Sequence, residues 1–195
     1  PLPRADGHHL LTYKPMKHLQ YPIGEFIMSN SIEQSTIHAW IEDLRAFPGQ
    51  LSALIHPLSE AALQQSYRPG GWNIVQIIHH CADSHMNAFV RCKLALSENN
   101  PTIKDYLEKD WAELPDATLP PPEVSLQLLS ALHHRWVVFF ENLSQEQWQS
   151  TYFHPGHQRA FSLLEVLGMY SWHSRHHLAH IRLAIDHPHT KDISV

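Results

Sequence analysis

Four stretches with helical hydrophobic spacing, each bracketed by start and stop signals, point this chain towards a helical bundle. The first opens at Ser31 with Gln34 three residues on, a capping-box pattern, and runs to about Ile55. Pro48 lies inside it and predicts a kink. The second opens at Asn73 with Gln76 three residues on and runs to about Ser97. The third follows Pro120, Pro121 and Pro122 and covers about Glu123 to Asn142. The fourth has Ser162 and Glu165 as its capping box and reaches about Ile185, where Asp186, His187 and Pro188 stop it. No segment alternates as a strand should. The expected fold is all-α, a four-helix up-down bundle with short linker helices, over residues 21–187. Residues 1–20 read as an irregular arm and 188–195 as a tail.

The linkers echo one another. Leu58-Ser59 to Gln65-Ser66-Tyr67 precedes the second helical segment. Leu143-Ser144 to Gln149-Ser150, then Tyr152, precedes the fourth. Each reads as a short helix and a turn leading into a capped long helix, as two related halves would give. The 98–119 connection is long and carries Tyr106 and Trp111, as a functional wall or lid would.

At 195 residues the chain is expected to form one domain that needs no disulfides. A net charge of -5 and the lack of a basic stripe argue against a nucleic-acid partner. No apolar run is long enough to span a membrane, and no signal-peptide core is visible near Pro1. Cys81 and Cys92 fall on one helical segment about 16 Å apart, too far for a disulfide. Two such thiols favour a reducing, cytoplasmic setting.

The chemistry lies in the histidines, 18 in all, which cluster internally. Neutral imidazole is a good ligand for divalent transition metals, and two of them at i and i+4 on a helix can reach one ion. The fourth segment offers His173 with His177 and His176 with His180. The first pair shares the apolar face of Leu163, Val166, Tyr170 and Ile181, which should point inwards. A third ligand should come from the second segment. There the helical wheel places His85 inside the apolar face, His80 at its border and His79 away from it. On the wheel His85 is slightly favoured over His80, and His133 and His134 stay open as candidates.

Six spaced motifs stand out: Tyr21-Pro22-Ile23-Gly24-Glu25, Tyr67-Arg68-Pro69-Gly70-Gly71-Trp72, the run from His79 to Asn87, His134-Arg135-Trp136, Tyr152-Phe153-His154-Pro155, and the run from Tyr170 to His180. Together they resemble the DinB superfamily, in particular its YfiT-like branch of metal-dependent hydrolases, which includes bacillithiol transferases. The resemblance implies a four-helix bundle, often a homodimer. It also implies a divalent metal, zinc or nickel, held by His80, His173 and His177, so it decides for His80 where the wheel does not.

Three protein ligands leave a coordination position open for water or a thiolate, the pattern of catalytic rather than structural sites. The implied function is a metal-dependent hydrolase, or a transferase of a low-molecular-weight thiol, acting on a small molecule. The alternative is a non-catalytic, stress-associated metal-binding bundle. Asp83 and Arg135 are weak catalytic candidates, the first as a carboxylate behind a ligand and the second as a fork for a substrate carboxylate. Tyr106, Trp111 and Tyr152 are candidates to line the pocket.

Overall fold

A computed structural model describes residues 17–189; most of the arm (1–16) and of the tail (190–195) lie outside the described residues. In chain order the elements are α1 (Lys17–Gln20), α2 (Gln34–Ile55), α3 (Glu60–Leu63), α4 (Ile74–Ser97), α5 (Glu108–Trp111), α6 (Pro115–Thr118) and α7 (Pro122–Glu141). A 3-10 turn at Gln147–Gln149, strands β1 (Thr151–His154) and β2 (Arg159–Ser162), and α8 (Leu163–Asp186) complete the fold. The long helices α2, α4, α7 and α8 form the expected bundle.

Local chemistry explains where these helices start. Asn73 accepts from the Gln76 N–H at 2.8 Å while Gln76 accepts from the Asn73 N–H at 3.2 Å, so the capping box of α4 is complete. Ser162 caps α8 by accepting from the Glu165 N–H at 3.2 Å. The other half of that box is missing, because the Glu165 carboxylate takes two hydrogen bonds from Arg159 on β2, at 2.6 and 3.0 Å. α2 begins two residues later than a Ser31 cap requires. Ser29 and Ser31 bond to each other in a local turn, and the chain stays extended through Glu33.

The bundle differs from simple alternation in one respect. Each of α2 and α4 packs against both α7 and α8, so α2 sits diagonal to α4 and α7 diagonal to α8. Paired residues give the directions. Along α2 and α8, Trp40 meets Gly168 and Asp43 meets Ser171, so these helices run parallel. Along α4 and α7, His79 meets Ser125 and Phe89 meets Phe139, so these also run parallel. Between α4 and α8, Ser84 meets Tyr170 and His80 meets His173, which is antiparallel. The order is therefore up, down, down, up. Because α4 and α7 point the same way, the chain between them must return along the bundle. α4 has 24 residues, a span of about 36 Å, and this return explains why the 98–121 connection is long.

The antiparallel β1–β2 hairpin is a feature the sequence did not suggest. Thr151 pairs with Ser162 and His154 with Arg159. Each strand has only four residues, too few for alternation to stand out, although Tyr152 and His154 do point inwards. The linker echo has a structural counterpart. Both linkers carry a short helical turn, and both contain an antiparallel pairing, a lone Ser66·Asn73 bridge in the first and the hairpin in the second. The first N–H of each following helix bonds back to the linker, Ile74 to the Gln65 carbonyl at 3.1 Å and Leu163 to that of Ser150 at 3.0 Å.

The core divides into two apolar clusters. One gathers Leu44, Trp136, Phe140, Leu163, Val166, Leu167 and Tyr170. The other gathers Phe47, Leu51, Ile74, Ile77, Ile78, Leu178, Ile181 and Ala184. Between them lies a buried polar layer of Ser84, His85, His133, Ser171, Ser174 and His177. Cys81 and Cys92 are buried and unpaired; burial pushes both thiols up, that of Cys92 to about 12. Among the described residues no helix is long and apolar enough to cross a membrane.

Candidate metal centre

His80 on α4 meets His173 and His177 on α8. One nitrogen from each lies within 4.8 Å of the others, and the Nε2 atoms of His80 and His173 are 3.4 Å apart. Two nitrogens each 2.0–2.1 Å from one tetrahedral ion stand about 3.3–3.4 Å apart, so this spacing is that of two ligands on one metal. His80 and His177 are buried and His173 is half-buried. Burial holds all three imidazoles below their ordinary range, His80 at about 4, so they are neutral near pH 7, as ligands must be.

A chain of hydrogen bonds decides which nitrogen of His173 is free. Pro48 has no N–H, so the Leu44 carbonyl four residues earlier in α2 lacks its helical donor. His133 of α7 donates to that carbonyl through Nδ1 at 2.6 Å. A carbonyl can only accept, so the proton of neutral His133 is on Nδ1 and its Nε2 is an acceptor. His85 must then donate through Nδ1, 2.7 Å from His133 Nε2. That leaves His85 Nε2 to accept from His173 Nδ1 at 2.9 Å. The lone pair of His173 Nε2 is thereby turned towards His80. A second chain serves His177. His180 donates through Nε2 to the Gln20 carbonyl at 3.0 Å, and its Nδ1 lies 3.3 Å from His177 Nδ1. The proton of His177 then belongs on Nδ1, and its Nε2 is free to bind.

These contacts sort the remaining histidines. His85, which the wheel slightly favoured, is fully buried but has both nitrogens engaged, so it stands behind a ligand. His79 donates to the Pro120 carbonyl and accepts from Ser125, which ties α4 to the start of α7. His134 is exposed. His176, His177 and His180 form a second group with ligand spacing. It shares His177 with the first group, so the two compete for one ring.

Neither weak catalytic candidate reaches the centre. Arg135 is exposed on α7, its guanidinium 5.3 Å from the Phe89 ring centroid. Asp83 is half-buried but does not line the cleft; burial and Asp116 push its carboxyl up to about 6. Of the three aromatic candidates Tyr152 lines the cleft, whereas Tyr106 and Trp111 pack on one another at 4.5 Å. The cleft itself, about 500 Å³, opens beside His80, His173 and His177 and is also walled by Trp72, Arg91, His154 and Tyr170. Two arginines line it, Arg68 and Arg91, and only Arg91 is buried. Its position eleven residues after His80 returns it to within about 20° of the same helical face, a signal the sequence reading passed over.

By class this is a four-helix bundle in which three neutral imidazoles, spaced so that they could hold a metal ion, stand beside an open cleft. The comparisons agree. The model of the DinB superfamily matches residues 43–181, and the chain belongs to that superfamily. A Bacillus cereus (strain AH820) protein named "Putative metal-dependent hydrolase" is 45% identical over 166 residues, covering 85% of this chain and 95% of its own. A Bacillus anthracis protein of the same name matches to the same extent. Among solved structures, YfiT from Bacillus subtilis is described as a probable metal-dependent hydrolase with an unusual four-helix bundle topology. It superposes with a TM-score of 0.83 at 40% identity, over 86% of this chain and 96% of its own.

Proposed function

We propose that the protein is a metal-dependent enzyme acting on a small molecule, with His80, His173 and His177 as the ligands of zinc or nickel. It works either as a hydrolase or as a transferase of a low-molecular-weight thiol. The observation that carries this reading is the tautomer logic of the site: two carbonyl-terminated chains of imidazoles aim the free nitrogens of His173 and His177 at the place where His80 points. A purely structural set of core histidines has no need of aligned free lone pairs. Once bound, a divalent ion supplies Lewis acidity, which makes water or a thiol nucleophilic near neutral pH.

The chain's own residues do the rest. Trp72 covers His80 with ring centroids 4.7 Å apart and screens it from bulk water. His85 and His180 hold the two α8 ligands in one tautomer each. Tyr170 and Ser84, 3.3 Å apart, give the cleft wall a polar pair that can meet a substrate. A closed structural centre would need a fourth protein ligand, and His85, with both nitrogens engaged, is not free to be one.

Elemental analysis of untagged protein tests the reading. The expected content is about one divalent ion per chain, lost in each of His80→Ala, His173→Ala and His177→Ala. Screens of esters, amides and thiol–electrophile pairs on the loaded protein then separate hydrolysis from transfer. A parent that takes up neither zinc nor nickel overturns the proposal.

A further inference from the structure

We infer that the cleft holds a carboxylate-binding subsite, built on Arg91 and His154, so that the small molecule reaching the histidine centre is an acid. This rests on the reading of the cleft as a substrate site. Arg91 is 7% exposed, yet no carboxylate among the described residues lies within ion-pair distance of it. Its one protein acceptor is the Lys104 carbonyl at 2.8 Å. A guanidinium cannot lose its charge, and burying it without a counter-charge is costly. Glu108, the acid on the same cleft wall, is exposed and makes no ion pair with Arg91, although the Arg91 charge acts on its carboxyl from a distance.

His154 makes the same point independently. It is 9% exposed, lines the same cleft, and its Nδ1 has no hydrogen-bond partner. Its Nε2 stands 4.0 Å from Asp105, too far for a hydrogen bond. Around the histidine centre the cleft wall carries Arg68, Arg91 and Lys109 against Glu108; the adjoining hollow that Arg91 and His154 also line adds Asp105 and Asp110. A planar carboxylate matches the remaining fork of Arg91, and a ring N–H of His154, on the same wall, can complete its shell.

Position sets the ligand's length. Arg91 and His80 lie on one face of α4, about 16 Å apart along the axis. The acid group therefore sits several bonds from the reacting group.

The test uses ω-mercaptocarboxylic acids of increasing chain length, each beside the matching ω-mercaptoalcohol, in titration calorimetry on the zinc-loaded protein. Metal-free protein is titrated in parallel with dicarboxylic acids and the matching diols. Acids should bind about ten- to a hundredfold more tightly than alcohols at the length that spans the cleft. Arg91→Gln should bring the two to near parity and leave the alcohols unchanged. Arg91→Lys, which keeps the charge without the fork, should fall between. His154→Ala should weaken the acids alone and serves if Arg91→Gln does not fold.

No acid preference at any length, or one that survives Arg91→Gln, overturns the subsite. If neither thiol series binds the zinc-loaded protein, the metal–thiol reading fails instead, and the metal-free arm decides the subsite alone. An acid preference there that is lost in Arg91→Gln supports it, and none overturns it.

Discussion

Replacing His85 by leucine asks whether the buried imidazole chain serves the metal or only the fold. His85 is fully buried and bonds to His133 at 2.7 Å and to His173 at 2.9 Å. Leucine leaves His133 Nε2 and the His173 Nδ1–H without partners. Each such orphan costs about 1–3 kcal/mol, so the metal-free fold should lose about 2–6 kcal/mol. The second effect falls on the metal. His173 becomes free to turn or to move its proton to Nε2, and loss of a hydrogen-bonding partner behind a ligand weakens binding about 10- to 100-fold. Glutamine at the same position can donate to His133 and accept from His173, so His85→Gln should keep zinc affinity within about threefold of the parent. Competition with a chromophoric chelator reads the affinity, and urea unfolding of the metal-free protein reads the stability. A His85→Leu protein that loses stability but binds zinc like the parent would falsify the orienting role.

Other outcomes follow from the same geometry. His176→Ala should keep the metal that His80→Ala loses; the reverse, read by elemental analysis, would assign the ion to the group on α8 alone. Asp83→Asn should leave metal content unchanged and make the protein no less stable near neutral pH, because burial and Asp116 already disfavour the charge; metal loss would put Asp83 back behind a ligand. Metal-free stability should fall as pH drops. His133 is held at about 4 in the fold against 6.5 when free, so the unfolded chain binds the proton first. The stability it contributes is present above pH 6.5 and is lost as pH falls towards about 4, at up to about 1.4 kcal/mol per pH unit per such group. A flat urea midpoint over that window would contradict the neutral, hydrogen-bonded chain.

Much of the bundle was legible because helix starts are local events. Asn73 with Gln76 fixes α4 from four residues, and Ser162 fixes α8. The Ser31 box failed because Ser29 competes for the same groups, and the Glu165 half failed because Arg159, brought close by an unrecognised hairpin, binds the carboxylate more strongly. Periodicity could place the α8 pair inwards but could not separate His80 from His85. The difference between them is which nitrogen is already spent, and that depends on a proline in α2 and a histidine in α7. Helix order was also beyond the pattern, since apolar stripes say that helices pack and not which ones. Arg91 was within reach of the wheel, but the missing counter-charge that singles it out exists only in three dimensions.

The return of the chain between α4 and α7 has a consequence for how such a protein can change. The topology demands this strap, and its buried anchors are few, Ile103, Ala112 and Ala117. Yet its Glu108 and Lys109 form part of the cleft wall. Substitutions and length changes there can reshape what the cleft admits while the histidines, seated on α4 and α8, keep their positions. The scaffold thus separates the part that holds the chemistry from the part that chooses the molecule, so the strap is where a screen for altered substrate range should place its diversity.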